Sequence, residues 1–211
     1  MLMITGCVEH VYINDPETKY GSGKIISETR NVDECYGVCL KYAGKIFLTQ
    51  GDEQSIRIEA DDNIIDDVVA QSENGILNVG LKEGSYSNAT VRIYVVLKNI
   101  KSISIEGAGN IVVENPITCS DLICNINGAG DIDLWGNGNT LSCRINGAGN
   151  ISAFDFPAKY CTAKISGTGN CTVNVSENLD ASISGVGNIT YDGNPKSVKS
   201  SISGIGKINK R

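Results

Sequence analysis

One histidine, four prolines and aromatic side chains at only 6% of the chain mark what this 211-residue sequence lacks. The single histidine, His10, lies near the N-terminus, outside the patterned body, so a histidine-based nucleophile has no candidate base there. Basic residues are outnumbered, 18 against 24 acids, and the formal net charge of −6 leaves no cationic stripe to neutralise phosphates. That balance argues against nucleic acid as a partner. No apolar run approaches the roughly 18–20 residues that a membrane helix needs. What is abundant is glycine, at 24 residues, together with asparagine, isoleucine, serine and valine, a mix that favours strands joined by tight turns. At 41% apolar and 20% charged residues the chain is not of the disordered class.

The first twenty residues read as a leader or tether. "MLMITGCVEH" lacks the basic segment and the apolar stretch of about 7–15 residues of a secretory signal. Ile4-Thr5-Gly6-Cys7 nevertheless has the apolar-small-Gly-Cys form of a bacterial lipoprotein processing box. Two readings stand. Either the peptide is the tail of a signal whose start lies upstream, with a lipid on Cys7 attaching the protein to a membrane, or it is a chance tetrapeptide in a cytoplasmic chain.

From residue 105 one pattern recurs six times: "IEGAGNI", "INGAGDI", "INGAGNI", "ISGTGNC", "ISGVGNI" and "ISGIGKI". Its glycine pairs are Gly107 and Gly109, Gly128 and Gly130, Gly147 and Gly149, Gly167 and Gly169, Gly185 and Gly187, and Gly204 and Gly206. Successive copies step by 21, 19, 20, 18 and 19 residues. Fainter copies stand in "GSGKI" (21–25) and "YAGKI" (42–46). Two residues before the first glycine every strong copy has isoleucine, from Ile105 to Ile202, and the apolar positions alternate with polar ones on both sides. A period of two means strands with one buried face. At ~3.3 Å per residue, a step of about 19 residues encircles one three-sided coil, and stacked coils would pair in parallel ~4.8 Å apart. A β-propeller blade needs roughly 40 residues and ranks second. The expectation is an all-β, single-stranded parallel β-helix with coils of about 18–21 residues.

The N-terminal half, 21–104, reads as less regular strands on the same axis, with "DDNIIDDVVA" (61–70) as one short helix capped by Asp61 or Asp62. "KEGSYSNA" (82–89) reads as an exposed loop. No linker separates this half from the six regular coils of 105–211, so residues 21–211 form one domain.

The ordered set "GSGKIISETRNV", "GKIFLTQGDEQSIRIEADDNIIDDVV", "NGILNVGL" and the iterated I-[NS]-G-x-G-[ND]-I resembles the head GIN domain family of putative auto-transporter adhesins, from about residue 21 onward. The resemblance implies a right-handed β-helix fold and a bacterial envelope or surface location, and the residues weighed below point to no enzymatic activity. It implies a glycan or a surface protein as partner, met through the outer faces and loops of the coils. The chain departs from the family in its missing leader and its many cysteines.

"YGSGKI" (20–25) fails the G-x-x-x-x-G-K-[ST] phosphate loop, because Thr18 and Ile25 stand where glycine and Ser or Thr are required. Only Asp131 follows a corner as a carboxylate, so a repeat-wide calcium array is rejected; Asp131, Asp133 and Asp155 leave room for a single adventitious site. No cofactor is expected. The residues after the corners, Asn110, Asp131, Asn150, Asn170, Asn188 and Lys207, read as a structural ladder, with a glycan-recognising ladder as the alternative. Asp131, Asp133, Asp155, Asp180 and Asp192 fall on different sides of the presumed coil, which disfavours the paired carboxylates of a β-helix lyase or hydrolase. Trp135, in the presumed turn "DLWGNGN" (133–139), is the candidate ligand contact. Of eight cysteines, Cys124, Cys143, Cys161 and Cys171 occupy inward slots and read as small core residues in preference to disulfides.

Overall fold

The computed structural model describes residues 17–211, and in that range the chain is built of strands with one turn of 3-10 helix. Cys7 and His10 lie outside the described residues. Three long strands, Ala129–Ile145, Ala148–Ile165 and Thr168–Ile183, each make most of a coil and pair in parallel with the coil on either side. The pairing follows the columns of the repeat. Ile105, Ile126, Ile145, Ile165, Ile183 and Ile202 stand opposite one another from coil to coil. So do Ile111, Ile132, Ile151, Cys171, Ile189 and Ile208. Apart from the last coil, both columns are fully buried. The inward half of the period-two alternation becomes a continuous apolar column, which a single coil could not shelter from water alone.

Two glycine columns bring the coils this close. A Cβ on Gly147 would fall inside the carbonyl oxygen of Gly128 below it, and one on Gly149 would strike the carbonyl oxygen of Gly130. Gly149 also has φ of 149°, a conformation that side chains resist. At the next position side chains replace bulk with hydrogen bonds. The Asp131 carboxylate accepts from the backbone N–H of Asn150 at 2.9 Å and from its Nδ2 at 2.7 Å. Asn150 Oδ1 accepts from the same two groups of Asn170 at 3.1 and 3.0 Å, and Asn170 Oδ1 from those of Asn188 at 3.2 and 3.1 Å. Asn110 Oδ1 begins the ladder by accepting from Asp131 N at 3.1 Å, and Asn188 Oδ1 ends it on Lys207 N at 3.1 Å. The Asn110, Asp131, Asn150, Asn170 and Asn188 side chains thus direct hydrogen bonds to neighbouring coils.

The faint copy at 42–46 belongs to the same lattice. Ala43, Gly44, Lys45 and Ile46 pair with Ala108, Gly109, Asn110 and Ile111, and Gly37–Leu40 pairs with Ser102–Ile105. Residues 37–50 are therefore the coil beneath the first strong copy, although over fifty residues of chain separate them. The intervening segment closes that end. Val91–Leu97 adds in parallel to Ala43–Gln50, then Ser55–Asp61 and Ile25–Arg30 follow antiparallel. On the adjoining side Ile76–Leu81 adds in parallel to Gly37–Leu40, and Val68–Glu73 folds back on it through Asn74 and Gly75, both at positive φ. Gln50 and Asn115 clip the junction: Asn115 Oδ1 accepts from Gln50 N at 2.8 Å, and Gln50 Oε1 accepts from Thr118 N at 2.7 Å.

Several local expectations are corrected here. The copy "GSGKI" joins no glycine column: Gly23, at φ of 78°, turns the chain into the antiparallel strand Ile25–Arg30. The helix expected over 61–70 is one 3-10 turn, Ile65–Asp67, between two strands. Ile64, Ile65 and Val68 are buried and fit one helical turn, but the residues after it are drawn into the hairpin with Ile76–Leu81. Asp61 does not cap that turn; it is buried and accepts from the backbone N–H groups of Gly23 and Thr90, each at 2.7 Å. The loop 82–89 contains the short strand Tyr86–Ser87, paired with Lys19–Tyr20.

Two outcomes test this construction. Gly149→Ala forces a methyl into the backbone of the coil below and is expected to cost about 2–5 kcal/mol, read as a lowered urea midpoint, whereas Ala148→Gly is expected to cost about 1 kcal/mol or less. Asp67 is buried and accepts from Lys19 Nζ at 2.5 Å and Lys82 Nζ at 2.6 Å, and these ammonium groups hold its carboxyl below the usual range. A carboxyl so depressed stabilises the fold above its unfolded pKa, about 4, and that contribution is lost as pH falls through the folded value. Thermal midpoints measured from pH 6 downward are therefore expected to fall more steeply for the native chain than for Asp67→Asn, the two converging in acid.

Candidate functional site

The coils differ in length, and register shifts take up the difference between Asp133 and Trp135, between Ala153 and Pro157 and between Ala158 and Tyr160. Inside, the irregularity is filled by Phe156, which is fully buried. Outside, it leaves a shallow depression of about 400 Å³ lined by Asp133, Leu134, Trp135, Ser152, Phe154, Asp155 and Thr172.

Trp135 is 41% exposed, yet its indole is fixed, because Nε1 donates to the carbonyl of Val113 in the coil below at 2.9 Å. The expected turn at 133–139 is instead part of the strand Ala129–Ile145, bent at Gly136 with φ of 137°. Trp135 stands opposite Asp155 in the next coil. Phe154 is half-buried, and the guanidinium of Arg211 lies 5.0 Å from its ring centroid. The side chains of Asp133, Ser152 and Asp155 are exposed. The depression therefore offers an indole edge and face held from beneath, a second ring, two carboxylates and a hydroxyl. Aromatic surface with acceptors around its rim is the chemistry that engages the apolar face and the hydroxyls of a sugar.

Of the residues singled out in the sequence, the structure brings Trp135, Asp133 and Asp155 together. Asp133 and Asp155 were expected on different sides of the coil, and the bulges correct that by carrying Asp155 across to the Trp135 position. Asp131 is committed to Asn150 instead. Among the described residues no three histidine, cysteine or acidic side chains gather as metal ligands would. Phe154, Ser152 and Arg211 were missed. The uneven steps of the repeat were the available signal, since an extra residue in a coil has to bulge somewhere.

Seven cysteines fall within the described residues and all are free thiols. Cys124 and Cys143 are paired in register, and Cys161 and Cys171 fill the slots that leucine and isoleucine occupy in neighbouring coils. The hydrogen bond with Cys124 and full burial push the Cys143 thiol well above its ordinary value, and its bond to Cys143 does the same for Cys171. Burial, with a smaller push from neighbouring Cys171, raises Cys161, and burial outweighs the hydrogen bond with Ser104 to raise Cys39. Cys119, only half-buried, is pushed up to about 11 by burial and by the charge of Asp121.

The described chain is thus a largely parallel β-solenoid with buried free thiols in its core and an aromatic depression on one side. The sequence matches the family described as putative auto-transporter adhesin, head GIN domain, over residues 38–195, and the chain belongs to that family. Among solved structures it is similar to a putative adhesin from Bacteroides fragilis, at 25% identity and a TM-score of 0.75, covering 92% of this chain and 100% of the other. It is similar in fold to a putative lipid binding protein from Parabacteroides distasonis, at 22% identity and a TM-score of 0.57, covering 92% and 100%. A putative adhesin from Parabacteroides merdae shares the fold at 20% identity and a TM-score of 0.56, covering 92% and 99%. No curated protein matches the chain.

The thiols supply a direct test of the packing. In a Cys7→Ser background at pH 8, Cys119 is expected to react slowly with a thiol reagent. Its rate should climb with pH towards 11, while the buried cysteines become reactive only in denaturant. Rapid labelling of Cys143 in the native protein would show that the column is not sealed.

Proposed function

We propose that this protein is a non-catalytic adhesin of the bacterial envelope that holds a glycan in the Trp135 depression. The observation that carries the reading is the immobilised, exposed indole of Trp135 beside the Phe154 ring and the free rims of Asp133, Ser152 and Asp155. A rigid indole presents its surface without an entropy cost of ordering on binding, and carboxylates accept from sugar hydroxyls without closing over them. Family membership and the B. fragilis neighbour support surface adhesion as the broad role. Residues 21–211, with Lys19 and Tyr20 paired onto them, serve as the binding domain, and the residues before these as the tether, with a lipid on Cys7 as the means of attachment. No helix among the described residues is long and apolar enough to cross a membrane.

A polysaccharide lyase or hydrolase is the second reading, favoured by one observation: Asp133 and Asp155 open into the same depression. Incubation of the purified protein with pectins and with host and bacterial glycans separates the two. Retention of a glycan with no shortened or unsaturated product supports adhesion. Trp135→Ala is expected to weaken that retention at least about tenfold while leaving the far-ultraviolet spectrum unchanged. Product release abolished by Asp133→Asn or Asp155→Asn would establish the enzyme instead.

A further inference from the structure

Between Tyr160 and the glycine corner that follows, the period of two turns residues 160, 162 and 164 to the same outer side of the coil. Coil pairing sets Thr140, Ser142 and Arg144 beside them on one side and Asn178, Asp180 and Ser182 on the other. Tyr160 is 44% exposed and borders a shallow depression of about 330 Å³ that Thr140, Thr162, Asn178 and Asp180 also line. Lys164 is exposed and Arg144 half-buried. At ~3.3 Å per residue, about 13 Å of strand separates Tyr160 from Lys164.

Arg144 and Lys164 stand directly opposite each other in adjacent coils, whose strands lie about 4.8 Å apart. Like charges so placed weaken a sheet. Six cations elsewhere, from Lys19 to Lys196, pair with carboxylates, and Lys45, Lys101 and Arg211 lie over aromatic rings. Among the described residues Arg144 and Lys164 have neither kind of partner. Their own column continues with Asn125 below and Ser182 above. The carboxylates Asp121 and Asp180 stand in other columns, opposite Thr140 and Thr162, and Asp180 has Lys199 on its other side. Next to Arg144, Asn125 Oδ1 and Ser142 Oγ are buried and have no hydrogen-bond partner. Hydrogen-bonding capacity is therefore left over beside the two cations.

Two unanswered cations side by side contribute nothing to the stability of the stack. They do fit one anionic group held in common, the guanidinium donating in a fork to two oxygens and the ammonium to one of them. We infer that this face binds an acidic oligosaccharide. A uronate or sulfate group sits on Arg144 and Lys164, a ring further along the chain packs on Tyr160, and Thr140, Thr162, Asn178 and Asp180 meet the hydroxyls between. The span from Tyr160 to Lys164 is longer than one sugar ring, so the ligand is an oligomer. Two cations in a chain of net charge −6 are too few to follow a nucleic-acid backbone. Asp180 accepts from sugar hydroxyls and repels an anionic bilayer, which favours sugar over lipid. The site shares no lining residue with the Trp135 depression and does not rest on the reading of that surface.

The probes are labelled tetragalacturonate, its uncharged methyl ester and a heparin tetrasaccharide, each added to the full chain and followed by fluorescence anisotropy. Saturable binding of an acidic probe is expected, weaker at high salt, with the ester at least about tenfold weaker. Arg144→Ser and Lys164→Ser install the residue that the same column carries at Ser182, and each is expected to weaken binding about threefold to tenfold. Their urea midpoints should stay at or above the native value, because a repelling neighbour is gone; a structural role for the pair would lower them. Tyr160→Ala is expected to weaken binding about tenfold. The inference is overturned when neither acidic probe binds saturably, when the ester binds as tightly as the acid, or when both serine variants bind like the native chain. Inorganic sulfate binding as tightly as the tetrasaccharide would overturn it in favour of a small-anion site. Phosphatidylglycerol vesicles that bind the native chain but not the serine variants, with no oligosaccharide bound, would assign the pair to a membrane surface instead. Trp135→Ala should leave acidic binding unchanged, and a loss there would move the acidic ligand to the other depression, so the two readings fail separately.

Discussion

The contact on which the rest of the structure depends is that of one glycine backbone on the next. At Gly107, Gly128, Gly147, Gly167, Gly185 and Gly204, and again at the second glycine of each pair from Gly109 to Gly206, there is no room for a Cβ above the carbonyl of the coil below. The contact sets the height of the stack at the corner and with it the register of everything downstream. Once the corner is in place, Ile145 has to stand on Ile126 and Ile151 on Ile132. The asparagine ladder then ties each corner to the next through side-chain oxygens. Hydrophobic burial supplies most of the free energy, but it is indifferent to a slip of two residues along a strand. The glycines and asparagines are not indifferent.

The departures from regularity place what the protein displays. Where the coils keep step, the outward positions are mostly polar, with Ile123 and Val186 among the exceptions. Where a coil carries an extra residue, the strand bulges, Phe156 turns inward to fill the space, and Trp135, Phe154 and Asp155 meet outside. The same bulge thus serves the core and the surface. The larger irregularity, the fifty-residue excursion between the coil of 37–50 and the first strong copy, closes one end of the lattice with antiparallel strands. Buried Asp61 and Asp67 hold that closure by satisfying backbone N–H groups and two lysines. Such an arrangement is costly to bury and is tolerated because every acceptor is answered.

Much of this was legible in the residues. Periodicity of two around a repeated glycine pair was enough to identify strands, coils and inward columns, down to Cys124 beside Cys143. The degenerate copy at 42–46 was detected despite its missing glycine and does belong to the lattice, whereas "GSGKI" matched the letters and is a turn into an antiparallel strand. The segment 61–70 misled for a related reason: Ile64, Ile65 and Val68 are spaced for a helix, but the backbone N–H groups after them find partners in Ile76–Leu81. At the surface site, Trp135 stood out by rarity alone, while Phe154, Ser152 and Arg211 carried no mark.

By itself the sequence determined the repeat, the strand faces, the columns of the core and the family, because each is a local pattern repeated six times and local patterns survive without knowledge of distant partners. Tertiary structure alone decided where the chain skips from residue 50 to residue 102 in space and which carboxylates share a depression. Those facts depend on how bulges of one or two residues accumulate between coils, and on pairings between strands far apart in the chain. No short window of residues contains that information.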